Sequence, residues 1–184
     1  MSIRSLALLV CMTSSLVLGQ TREIVTVHLE NEANASCETV VRAKATTTEI
    51  FKRIGIPVVW SRAAASGQSP ILIHLRDRTP AAFHHGALAF AEVFEGTRIT
   101  VFFDRIEAGR HAGRILAHVF AHEIAHLLQG IDRHSSSGIM KSRWDHNDFG
   151  NMRYEPLSFE QLDIDLMHEG YARRAGSAIL AATR

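Results

Sequence analysis

The chain is poor in the features that would fix a fold or a partner by covalent or charge effects alone. It has two cysteines. Cys11 falls in the apolar N-terminal run, so the remainder keeps Cys37 alone and no intramolecular disulfide framework is expected. Cys37 has no adjacent histidine or basic residue to draw out a thiolate, which argues against a nucleophile. Neither charge dominates: 20 Lys and Arg stand against 19 Asp and Glu, interspersed. That excludes a nucleic-acid footprint and an acidic tail. Four prolines, no repeat and no low-complexity linker leave nowhere to divide the chain, so one domain is expected. Past the N-terminus no apolar run is long enough to span a bilayer. What the sequence has in excess is histidine, eleven in 184 residues.

Residues 1–19 read as a secretory signal peptide. Arg4 supplies the positive start, Leu6 to Leu18 the apolar stretch, and Val17 and Gly19 the small residues before a cut that leaves Gln20 first. The run is short and interrupted by Thr13, Ser14 and Ser15, which argues against an anchor. The expected product is a secreted or periplasmic domain of residues 20–184, with no membrane partner in its mature form and a monomer as the default.

The rest alternates between the two periodicities. Glu23 to Leu29 reads as a strand, and Cys37 to Ile54 as an amphipathic helix stopped at Gly55, weakened by the threonine run 46–48. Ile56 to Trp60 and Ile71 to Leu75 read as short strands. Ala87 to Phe94 and Arg98 to Asp104 read as a hairpin turning at Glu95-Gly96-Thr97. His84 and His85, just before it, read as solvated, with a surface metal as the alternative. From about Arg110 to Gln129 the chain is apolar nearly all round, as expected of a buried helix. Asp145 to Tyr154 is polar and reads as an irregular loop. Ser158 and Gln161 predict a capping box for a last helix running to about Arg174, with a frayed tail beyond.

On the buried helix lies His122-Glu123-Ile124-Ala125-His126. Residues four apart share a helical face, so the two rings can converge on one ion, with Glu123 beside it as a base. His118 continues the stripe but is too far along the axis from His126 to join the same ion, and reads as a core or supporting residue. Gly130 can take a left-handed conformation and turn the chain back, bringing His134 as the third ligand. Asp132 is the alternative third ligand; Glu160 and His146 are weaker ones. Trp144 and Tyr154 are candidates for a specificity pocket, or for core.

These residues resemble the metzincin clan of zinc peptidases, whose motif is H-E-x-x-H-x-x-G-x-x-H followed by a tight turn carrying a methionine. His122, Glu123, His126, Gly130 and His134 match, and Ser135 with Gly138-Ile139-Met140 is similar to matrixin-like members of the small secreted bacterial type. The spacing departs: Gln129 occupies the usual glycine place, Asp132 falls at the usual third-ligand place, and Ser142 stands where some members carry a tyrosine. The resemblance implies an α+β single domain: a mixed twisted sheet of about four to five strands, a central active-site helix, a Met-turn at Met140 and a C-terminal helix. It also implies one catalytic Zn2+ on His122, His126 and His134 and a protein or peptide substrate lying along the hairpin strand. The activity implied is that of a zinc endopeptidase, with Glu123 as general base toward a zinc-bound water. The residues leave two rival readings open: a non-catalytic zinc-binding interaction module of this fold, and a zinc hydrolase of a non-peptide amide. The retained Glu123 favours an enzyme.

Overall fold

The computed structural model describes residues 24–62, 70–81, 88–93, 97–106 and 109–182, with side chains to residue 174. The signal-peptide region, His84, His85 and the tip of the predicted hairpin lie outside these residues. Five strands form one sheet in the order β2-β1-β3-β5-β4. They are β1 (Val25–Asn31), β2 (Val58–Ser61), β3 (Ile71–Arg76), β4 (Ala89–Ala91) and β5 (Arg98–Phe102). β1 pairs parallel with β2 and β3, and β3 parallel with β5. β4 runs antiparallel to β5 with Phe90 opposite Thr100, as the hairpin pattern predicts.

Period-2 alternation puts Val25 and Val27, Ile71, Ile73 and Leu75, and Ile99 and Val101 on one buried face. α1 (Cys37–Arg53) crosses between β1 and β2 and packs on α2 (Ala112–Gln129). Ser36 caps α1 by accepting from the Thr39 N–H at 3.2 Å. The threonine run is absorbed without breaking this helix. The buried Thr47 hydroxyl donates to Ala43 O at 2.9 Å and lies 3.2 Å from Ala117 O of α2, and Thr48 accepts from the Trp60 indole at 3.1 Å. Cys37 begins α1 as an exposed free thiol.

α2 is the central element. All of its residues except Arg114 and His122 are buried, so about 27 Å of helix runs through the core. It stops at Gly130, which is left-handed at φ 72°. Two expectations need correction. Asp145 to Tyr154 is not irregular: α3 (His146–Met152) forms there, because Asp145 and Asp148 make a reciprocal capping box. The last helix, α4 (Gln161–Ala182), starts later and runs further than expected. Ser158 does not cap it. Its carbonyl accepts from Ile139 N, and the reach-back bond comes from Asp163 to the Glu160 N–H at 3.2 Å. Among the described residues no helix is long and apolar enough to cross a membrane.

Candidate metal centre

The i, i+4 spacing on α2 brings the His122 and His126 rings together, with centroids 4.7 Å apart. Each ring is fixed by its Nδ1. In His122 this nitrogen lies 2.7 Å from Ile139 O, and in His126 it lies 3.3 Å from Ile131 O. A carbonyl only accepts, so both Nδ1 atoms carry the proton and both Nε2 atoms present a lone pair. Those two Nε2 atoms are 3.0 Å apart. Two lone pairs that close call for a cation between them. Nitrogens on a tetrahedral zinc, at ~2.0–2.1 Å each, are about 3.3 Å apart.

Beyond Gly130 the chain returns as expected, and His134 stands 5.3 Å from His122 and 4.9 Å from His126 by ring centroid. One nitrogen from each of the three lies within 4.8 Å of the others, a group that can hold a metal ion. The donor chemistry fits zinc: three imidazoles, two with tautomers set by backbone carbonyls. Burial pushes the His122 pKa down to about 3, helped by His126, and lowers that of His126, helped by His134. Both effects favour the neutral ligand form.

Asp132 is exposed, lines the same cavity, and is not part of that group. Glu160 is committed elsewhere, accepting from Ser136 Oγ at 2.9 Å and from Ser137 N and Oγ at 2.8 Å each. His146 is an exposed first residue of α3. His118 is fully buried, its Nδ1 donating to Arg114 O at 2.7 Å and its Nε2 accepting from Leu157 N at 3.0 Å. It is a strut between α2 and the segment before α4, in keeping with its position in the stripe.

The turn after His134 supplies the Ile139 carbonyl. Ser135 N bonds Met140 O at 2.8 Å, Ile139 N bonds Ser158 O at 2.9 Å, and Ile139 and Met140 are fully buried. Gly138 has φ +69°, and a Cβ there would meet Ser158 O at 2.2 Å, so the turn requires glycine on both counts. Sequence reasoning missed what anchors this turn. Ser135 Oγ sits 2.7 Å from both oxygens of the buried Asp163, which also pairs with Arg133. No local pattern announces that contact, because its partners are 28 residues apart.

Glu123 is 7% exposed beside the histidines. Burial, and secondarily the charge of Asp132, pushes its carboxyl up to about 8. A cation on the neighbouring histidines acts in the opposite sense. Glu123 and the histidines open on a cavity of ≈ 730 Å³. β4 forms the facing wall. Trp144 also lines it, its ring centroid 5.7 Å from that of His122, whereas Tyr154 is 83% exposed and outside the lining.

No protein-family model matches this sequence, and no curated protein does. A solved structure does: archaemetzincin from Archaeoglobus fulgidus, determined in complex with malonate, aligns at TM-score 0.51 over 78% of this chain and 99% of its own, with 16% identity. The fold is therefore metzincin-like: α+β, one small domain, a five-stranded mixed sheet. At that identity the likeness concerns the fold, and the chemistry rests on the residues.

Proposed function

We propose that the chain is an exported zinc-dependent endopeptidase. The observation that carries this is the convergence of three imidazoles beside a buried glutamate, on the floor of a cleft whose far wall is a sheet edge. His122, His126 and His134 would hold the ion. When bound, zinc supplies a Lewis acid for a carbonyl and acidifies water toward neutrality. The chain's own residues do the rest. Ile139 O and Ile131 O keep two imidazoles in the ligating tautomer, and Glu123 accepts the proton lost by the attacking water and returns it to the leaving amine.

The edge strand supports a peptide substrate. Leu88 O accepts from Phe102 N, and Glu92 N donates to Arg98 O. The alternate residues Ala89 and Ala91 therefore direct their backbone groups away from β5, toward the open edge. An extended peptide adding there would be held by main-chain bonds that are indifferent to its sequence.

Purified protein should contain one zinc per chain and cleave unstructured peptides. Glu123→Gln should keep the zinc and lose about 10²- to 10⁴-fold in kcat, and a chelator should abolish cleavage. Wild type without metal would refute the reading. Zinc without cleavage of any peptide would leave the binding module or the non-peptide hydrolase. Export is checked by the N-terminus of protein recovered outside the cytoplasm, expected at Gln20.

A further inference from the structure

The cavity lining carries charges of both signs, Glu92, Glu123 and Asp132 against Lys141 and Arg143. The exposed Asp132 follows Ile131, whose carbonyl orients His126, and its charge acts on both Glu123 and His126. The two cations lie on the segment that leads into Trp144, whose ring centroid is 5.7 Å from that of His122. They differ in what they face. Lys141 Nζ lies 2.7 Å from Asp145 and 2.7 Å from Asp148, neither of which lines the cavity. Its charge is answered from behind. Arg143 is exposed and has no hydrogen bond or ion pair among the described residues.

Around Trp144 the lining is apolar. Trp144 is fixed by its indole N–H, 3.3 Å from Gly138 O, and its ring stands edge-on to His122 and to Phe149. Val119, a helical turn before His122, completes this side. A group held here meets apolar walls and an exposed guanidinium that has no partner among the described residues. That suits a short apolar stem ending in a carboxylate, which a guanidinium can grip with two parallel hydrogen bonds.

We propose that Arg143 makes this cleft selective for peptides that place a carboxylate beside the scissile bond on the Trp144 side, either an acidic side chain or a nearby free C-terminus. This rests on the peptidase reading and adds the substrate class to it. Arg143 touches substrate and not the reacting atoms, so it acts on specificity. Because it is exposed and the aspartates behind Lys141 balance the local charge, the preference is modest, about 3- to 10-fold, and screened by salt.

The test uses the full zinc-loaded chain and quenched fluorescent peptides differing only by Glu or Gln at each of the positions flanking the cut, with a short pair ending in carboxylate or amide. The readout is the acidic-to-neutral ratio of kcat/KM within one protein preparation, which cancels differences in active fraction. The expected ratio is about 3 to 10 at one position, falling toward one in about 0.5 M salt, close to one in Arg143→Gln and inverted in Arg143→Glu. Which pair shows the ratio separates a side-chain from a C-terminal carboxylate. Binding of the same peptides to Glu123→Gln, by fluorescence anisotropy, should show the same ordering without turnover. A ratio of one in wild type, or one that survives Arg143→Gln, overturns this inference while leaving the peptidase reading intact. Failure of zinc-loaded wild type to cleave any peptide removes both.

Discussion

The Nε2 atoms of His122 and His126 face each other at 3.0 Å, each made a lone-pair donor by a backbone carbonyl at the opposite side of its ring. An arrangement of this kind costs free energy until a cation enters, so metal binding and fold stability must be linked. Zinc at about 1,000 times its dissociation constant should stabilise the fold by roughly 4 kcal/mol, about 8–16 °C in melting temperature for a chain this size. Calorimetry with and without chelator reads this directly.

The third ligand gives a sharper contrast. His134→Ala should weaken zinc binding by more than tenfold, whereas Asp132→Asn should leave stoichiometry at one, because Asp132 stands outside the convergent group. Competition with a chromophoric chelator measures both affinities. The reverse ranking would transfer the ligand role to Asp132.

Asp163 joins the turn to α4. Asp163→Asn removes the negative charge facing Arg133 and turns one of the two oxygens that accept from Ser135, Arg133 and the Glu160 N–H into a donor. Arg133 keeps partial solvent access, its side chain 28% exposed, which tempers the loss to about 2–3 kcal/mol by denaturant melt. Since the same turn carries Ile139 O to His122, zinc affinity should fall as well. A substitution that lowered stability and left zinc affinity unchanged would show that the turn holds its shape without this anchor.

His118 predicts an acid-side loss of stability. Burial lowers its pKa from 6.5 to about 4, against the raising effect of its hydrogen bond to Arg114 O. The unfolded chain therefore binds more protons than the folded one between pH 6.5 and 4. Stability from this group is full above pH 6.5 and declines as pH falls toward 4, by about 3 kcal/mol in total. The cause is structural: its Nε2 must stay unprotonated to accept from Leu157 N. His118→Gln should be less stable than wild type at pH 7, yet show a flatter profile from pH 6.5 to 4 in urea titrations of the two zinc-loaded proteins.

Gly138→Ala should destabilise by at least 2 kcal/mol, since the new methyl would occupy the space of Ser158 O and strain a left-handed residue. Gly130→Ala meets no such neighbour, the nearest heavy atom being 3.9 Å from the added Cβ. It should cost only the conformational strain, about 1 kcal/mol. Thermal melts of the pair separate close approach from backbone conformation.

Residues a helical turn apart needed nothing but the chain to be matched. The pairing of His122 with His126, the flanking position of Glu123, the stop at Gly130, the alternation in β1 and the antiparallel β4–β5 pair all follow from periods of 3.6 and 2 and from glycine's access to positive φ. Even His118 could be set aside as a ligand by counting rise along the helix. The same local reasoning failed where two signals competed. Ser158 and Gln161 make a plausible cap, but Ser158 O is taken by Ile139, and helix α4 begins where Asp163 can reach back. The helix at 146–152 is short and contains Gly150, which hid the Asp145–Asp148 box.

What only the tertiary structure decided is which distant groups share a site. His134 meets His122 and His126, Glu160 turns to Ser136 and Ser137, Ile139 O fixes a ring, and Trp144 and Arg143 line one cleft with the histidines. Each of these depends on how α2, the turn and α4 pack, and packing energy belongs to contacts between segments, which no period along the chain encodes.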